Sequence, residues 1–165
     1  MDTGSSDIWI KGENMSGKPK ERYSCGDFCV NTHVQYPIGY LDGFLSTYGQ
    51  TLKVKFNEHT FDCPLLVAYK GDVYFDDNEG ILGLSYPALA THKPTFIQTL
   101  IDEKIIDKYA YGMNLNIIEP NRAFITFGDQ DPSFYRGKLH QYSLNNQYEV
   151  RIDFNWIKIR DGKEM

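Results

Sequence analysis

Cysteine is scarce in this chain: three in 165 residues, at positions 25, 29 and 63. That is too few for a scaffold held by disulfides in place of a core. Positive charge is neither abundant nor clustered. The net charge is −5 and no Lys/Arg run stands out, which argues against a nucleic-acid partner. No apolar stretch approaches the length of a membrane span, and no signal peptide is recognisable. Internal repeats and low-complexity segments are missing. So is a second Asp-Thr/Ser-Gly triplet to match the one at residues 2–4.

What is present suits a globular β protein. The chain is 41% apolar and 15% aromatic, with twelve Tyr and ten Phe, residues that favour pleated, half-buried surfaces. Its length is enough to bury a sizeable core. Residues 6–10 read as a strand. Residues 33–56 read as a long hairpin, with Gly39 and Gly43 near its tip and Leu52, Val54 and Phe56 alternating with Lys53 and Lys55. Residues 60–69 are a further strand. The acidic run 76–80 is a solvated turn, since it lacks the alternating ligand spacing of a calcium loop. Pro94 opens the clearest helix, with Phe96, Ile97, Leu100, Ile101 and Ile105 on one face. Residues 111–117, 122–128, 138–144 and 148–159 are predicted strands, and Asp131-Pro132-Ser133 a turn. Mostly short strands with one or two short helices give an all-β fold.

Cys25 and Cys29 sit in a polar loop. They can close a small disulfide, the reading taken here. The alternatives are free thiols, or a zinc site that would need His33 and a fourth ligand. Asn14-Met15-Ser16 is a glycosylation sequon, making Asn14 a candidate acceptor. Cys63, between Phe61-Asp62 and Pro64, reads as a buried apolar residue.

The chemistry points to Asp2-Thr3-Gly4-Ser5-Ser6, followed by Ile8-Trp9-Ile10. Hydrolysis of a peptide without metal or covalent nucleophile needs an activated water and an acid for the carbonyl oxygen. Two carboxyl groups about 3 Å apart supply both, because like charges that close share one proton. In such a run Asp supplies the carboxylate. Gly leaves the backbone amide free to approach it, and hydroxyl neighbours can donate hydrogen bonds to it.

The run resembles the first active-site motif of the pepsin-like aspartic proteases (peptidase family A1). Other segments match that family in order. Tyr36-x-x-Gly39-x-x-x-Gly43-x-Leu45 resembles the flap that closes over substrate. Gly80-Ile81-Leu82-Gly83-Leu84 resembles the strand passing behind the active-site loop, and the helix from Pro94 and the strand Ala123–Asp129 also have counterparts. The resemblance implies an all-β, pepsin-like acid-protease β-barrel lobe with one or two short helices, truncated at both ends. It would comprise an N-terminal catalytic lobe over 1–130 without its leading strand. Interlobe strands and the start of a C-terminal lobe would follow over 131–165.

By the same resemblance Asp2 is one of two catalytic carboxylates. Thr3, Gly4 and Ser5 support it, together with Trp9 and Gly83. Tyr36 and Gly39 belong to the flap and bind substrate, with the Tyr36 phenol able to hydrogen-bond toward Trp9 when the flap is open. The implied activity is that of an aspartic-type endopeptidase that needs neither metal nor cofactor. Its partners are peptide or protein substrates, in an extracellular or lysosomal/vacuolar setting. The second carboxylate would come from the missing C-terminal lobe, so the 165 residues alone are expected to be inactive. Some positions depart from the pattern. The loop from Cys29 to Tyr36 is short, Pro37 replaces the usual Gly, and a bulky Tyr40 stands near the tip. These departures favour the alternative of a degraded, non-catalytic homologue that binds peptides or has a structural role.

Overall fold

The computed structural model describes residues 1–13, 15, 23, 30–41, 43–72, 78–115, 119–129 and 132–144. Cys25, Cys29, Asn14 and the predicted strand 148–159 lie outside the described residues, as do Asp76 and Asp77 of the acidic turn at 76–80. Five strands form one sheet: β1 (Ile8–Lys11), β2 (Val30–Tyr40), β3 (Gly43–Phe56), β4 (His59–Gly71) and β5 (Gly80–Leu82), in the order β2-β3-β4-β1-β5. A two-stranded sheet pairs β6 (Tyr111–Asn114) with β7 (Phe124–Phe127). The one α-helix among the described residues, α1, spans Phe96–Asp102. This is the all-β architecture expected, and among the described residues the larger sheet is open rather than closed into a barrel.

The long hairpin forms where alternation placed it. Tyr40 pairs with Gly43 at its tip and Val30 with Thr51 at its base. Strand β3 then turns into β4 through Asn57-Glu58, with Phe56 paired to His59. Asn57 takes φ 51°, a left-handed conformation that Asn tolerates better than most residues and that tight hairpin turns require. One face of the sheet buries Trp9, Ile38, Leu45, Leu66 and Ala68 together with Met15. The other packs Phe61 and Cys63 against Phe96 and Leu100 of α1. Phe56, Phe96 and Phe127 meet edge to face, 5.6–5.9 Å between ring centres, tying the small sheet and the helix to the large one. Cys63 is wholly buried in this second cluster, as its sequence neighbours suggested, and burial pushes its thiol up to about 12.

Two elements differ from expectation. The helix is shorter at both ends. Pro94 precedes it, and Thr95 caps it by accepting the Gln98 N–H at 3.3 Å. Lys104, at φ 58°, ends it before Ile105, although Ile105 still packs on the cluster below. Residues 138–144 are irregular rather than a strand, with Leu139 and Tyr142 exposed. Nothing among the described residues pairs with them, and an extended segment without a ladder partner gains no strand hydrogen bonds.

Candidate active site

The Asp-Thr-Gly-Ser-Ser run is a loop, and the segment after β5 holds it in place. Asp2 N–H donates to the Leu82 carbonyl at 2.9 Å, and Leu84 N–H donates to the Asp2 carbonyl at 2.8 Å. Gly83 N–H reaches the Asp7 carbonyl at 3.0 Å and Ser85 N–H the Ser5 carbonyl at 2.9 Å. These four bonds bring two segments about eighty residues apart into backbone contact, and only a glycine fits at 83. A Cβ there would lie 2.6 Å from both the Asp7 carbonyl oxygen and the Ser6 carbonyl carbon. Gly83 lies directly behind the loop.

Both carboxylate oxygens of Asp2 are held. The Gly4 N–H donates to Oδ1 at 2.8 Å, and the Ser5 hydroxyl donates to Oδ2 at 2.5 Å. A Cβ on Gly4 would meet Oδ1 at 3.3 Å, so the bare backbone allows that close approach. Thr3 was expected to share this support, but it is exposed and makes neither bond. Next along the loop, the Ser6 hydroxyl donates to the Tyr86 carbonyl at 2.6 Å.

Asp7 was not singled out from sequence, yet it is structurally central. Its carboxylate is buried and accepts the Thr91 N–H at 3.0 Å and the His92 N–H at 2.8 Å. That clamp fixes the 89–92 segment beside the loop. Burial lowers the His92 imidazole below its ordinary value, while the charge of Asp7 acts in the opposite direction.

Above the loop lies the β2–β3 hairpin. Between them is a cleft of about 710 Å³. Asp2, Ser5 and Asp7 form one side of it; Ile38, Gly39, Tyr40 and Leu41 come from the hairpin; Leu89 and Thr91 come from the clamped segment. Gly39 lies in open space, with no atom within 4 Å of where a Cβ would be. Leu41, at the hairpin tip, is fully exposed.

Trp9 is buried, and its indole N–H donates to a tyrosine of the hairpin, as expected, but to a different one. The acceptor is the Tyr40 hydroxyl, at 2.7 Å. The Tyr36 ring instead packs on the Trp9 cluster and lies edge-on to His92 at 4.8 Å, while its carbonyl accepts from the Thr47 hydroxyl. Tyr36 and Tyr40 share a face of β2, so alternation alone does not separate them. Along an extended strand four residues span about 13 Å, and it is Tyr40, at the tip, that lines the cleft.

No cluster of three or more metal-ligating side chains occurs among the described residues, and none of their helices is long and apolar enough to cross a membrane. The Cys25/Cys29 alternatives fall outside this description.

Residues 1–165 match the sequence model of the eukaryotic aspartyl proteases. The chain is 28% identical to vacuolar protease A of Arthroderma otae, across 99% of its own length and 44% of that protein. It is 26% identical to secreted aspartic protease 6 of Candida albicans, across 96% of this chain and 42% of that protein. Chymosin of Callithrix jacchus is 27% identical, across 85% of this chain and 39% of that protein. The chain thus spans about two-fifths of the length of these relatives.

Proposed function

We propose, for a chain that belongs to the eukaryotic aspartyl protease family, that Asp2 is one of two carboxyl groups that hydrolyse peptide bonds by general acid–base activation of water. The observation that carries this reading is the setting of Asp2. Each of its oxygens accepts a hydrogen bond, from Gly4 N–H and from the Ser5 hydroxyl, beneath a hairpin that overhangs a peptide-sized cleft. A carboxylate held in this way keeps a fixed lone-pair direction toward a water in the cleft. A second carboxyl close by would share its proton and supply the acid for the carbonyl oxygen. The 165 residues hold one Asp-Thr-Gly triplet, so they supply one half of such a dyad.

In this reading the roles divide by position. Thr3, Gly4, Ser5 and Gly83 shape the Asp2 loop, and Trp9 underlies the hairpin. Gly39 leaves room for a bound peptide, and Tyr36 helps to set the hairpin on the sheet. Residues 1–130 form the first lobe, and 131–165 lead toward a second. The apolar walls from Ile38, Leu41 and Leu89 suit a peptide or protein substrate with apolar side chains. Relatives named for the vacuole or for secretion support a lysosomal/vacuolar or extracellular setting, where a Cys25–Cys29 disulfide and a glycan at Asn14 are chemically compatible.

The rival, a peptide-binding homologue without catalysis, draws on Pro37. This residue is exposed in the hairpin strand and lacks the N–H that a glycine there would offer a bound peptide. Asp2→Asn in the full-length protein separates the two. The amide keeps the size of the side chain, so thermal unfolding should be nearly unchanged while peptidase activity at acidic pH falls to background. Binding of a statine-type inhibitor, which mimics the tetrahedral intermediate, should weaken in parallel. Equal activity in both proteins would end the proposal for Asp2. Absence of activity in the parent, with peptide binding retained, would establish the rival.

A further inference from the structure

Two walls of the cleft come from distant parts of the chain, and a ring contact joins them. The hairpin wall belongs to β2, an edge of the large sheet among the described residues. Its pairing with β3 is irregular between Asn31 and Gln35. The outer stretch Gln35–Tyr40, which carries Ile38, Gly39 and Tyr40 into the cleft, therefore has backbone support on one side. The opposite wall holds Leu89 and Thr91. None of Pro87, Ala88 and Leu89 is buried, so apolar packing does not fix that turn. Hydrogen bonds to the Asp2 loop station it instead: the Ser6 hydroxyl donates to the Tyr86 carbonyl, and the Asp7 carboxylate accepts the amides of Thr91 and His92. The His92 imidazole leaves this clamp and meets the Tyr36 ring edge to face, 4.8 Å between ring centres. Tyr36 lies two residues before Ile38, and His92 directly follows Thr91, so the contact stands where the two walls converge.

We propose that His92 is a positioning residue for the reaction assigned to Asp2: its neutral ring braces the edge strand β2 against the clamped segment, and protonation of the ring loosens that brace. This inference rests on the reading of Asp2 as an acid–base carboxylate. The ring is half-buried, with the Asp7 carboxylate beside it from the loop and the Tyr36 phenol ring against it from β2; on its own segment Lys93 is exposed. Burial in this position holds the imidazole below its ordinary value of 6.5, and the Asp7 charge opposes that shift without reversing it. The packed position therefore favours the neutral ring, whereas a ring released into water titrates near 6.5. Above that pH the brace is complete. As pH falls through the lowered value the ring takes up a proton and the packed position loses its advantage. β2 is then held by β3 and by the Trp9–Tyr40 bond at its tip. Ile38 and Gly39 stand less firmly over the cleft. The effect falls on substrate binding rather than on the chemistry at Asp2, whose hydrogen bonds from Gly4 and Ser5 lie within its own loop.

The test follows the Tyr36 ring in the full-length protein with ¹³C-labelled tyrosine, assigned by Tyr36→Phe. The parent is compared with His92→Phe, which keeps a ring that cannot titrate. In the parent the Tyr36 resonance should move between about pH 7 and pH 4, with a midpoint below 6.5; in His92→Phe it should stay still. Over the same fall in pH, KM for a peptide substrate should rise roughly threefold in the parent relative to His92→Phe, the size of one aromatic edge contact. The ratio of the two kcat values should stay constant. His92→Ala should show the raised KM throughout the range. A Tyr36 resonance that ignores pH in the parent, or that moves equally in His92→Phe, overturns the proposal. So does an effect carried by kcat alone, or a His92→Ala protein whose KM equals that of the parent at the upper end of the range. If His92→Ala does not fold, the parent and His92→Phe decide the matter. If the parent shows no peptidase activity while its Tyr36 resonance titrates through His92 alone, the brace stands. The acid–base reading of Asp2, and the role of His92 in the reaction with it, then falls.

Discussion

Replacing Gly83 by alanine tests the whole construction of the site with one methyl group. The added Cβ would stand 2.6–2.7 Å from the Asp7 carbonyl oxygen, the Ser6 carbonyl carbon and the Asp7 nitrogen. Ordinary contact begins near 3.4 Å, so the two segments must part by about 0.8 Å. All three atoms belong to backbone, so no side chain can swing aside. Moving apart that far carries the 3.0 Å Gly83–Asp7 bond and the 2.9 Å Ser85–Ser5 bond past hydrogen-bonding range. Two lost backbone bonds cost about 2 kcal/mol, and overpacking adds about 1–3 kcal/mol. A loss of about 4 kcal/mol is a large part of the stability of an ordinary domain. The assay is urea unfolding of the full-length protein, read as a lowered midpoint at unchanged slope. Peptidase activity should fall as well, because the same bonds hold Asp2. Gly39→Ala is the control: its Cβ meets no atom within 4 Å, and stability should change by less than about 0.5 kcal/mol. A Gly83→Ala protein as stable as the Gly39→Ala protein would refute the close-approach argument.

Two further outcomes follow from buried groups. Burial lowers His92 from 6.5, with Asp7 opposing. The unfolded chain therefore takes up this proton at higher pH than the folded one, and stability falls as pH drops from about 6.5 toward the depressed folded value. His92→Gln should remove that component, so the stability difference between parent and variant should vary across this window; a constant difference from pH 8 to 4 would contradict it. Cys63, with its thiol pushed up to about 12 in the core, should resist iodoacetamide at pH 8 in the native protein and react on unfolding, as read by peptide mapping. Native labelling of Cys63 would show that the second cluster is open to solvent.

Local pattern carried much of the fold. The return arm of the β2–β3 hairpin follows from the alternation of Leu52, Val54 and Phe56 with Lys53 and Lys55, and residues 60–69 were legible as the next strand. The helix was legible from its apolar face, but its ends were set by a capping Thr95 and a left-handed Lys104, details that a period count does not contain. Residues 138–144 have strand-like composition without a partner, and pairing is a property of two segments. The same division runs through the site. Asp2, Gly4 and Ser5 interact within four positions, so their arrangement could be read directly. Asp7 acts on amides at 91 and 92, and Trp9 on a phenol 31 residues away. A buried acid inside the motif, and a second tyrosine in phase with Tyr36, were the available signals; neither names its partner without the tertiary structure.

The threading of residues 82–85 behind residues 2–7 also has a consequence for synthesis. The Ser6–Tyr86 bond closes a loop of eighty residues, an ordering cost on the order of 4 kcal/mol before any contact repays it. A nascent chain leaving the ribosome has its Asp-Thr-Gly first and the clamp that shapes it much later. Until residue 85 has emerged and β4 lies alongside β1, Asp2 has only its local bonds from Gly4 and Ser5 and lacks the backbone bonds to residues 82 and 84. The order of translation therefore leaves the Asp2 loop without its backbone clamp until residues 82–85 have been made.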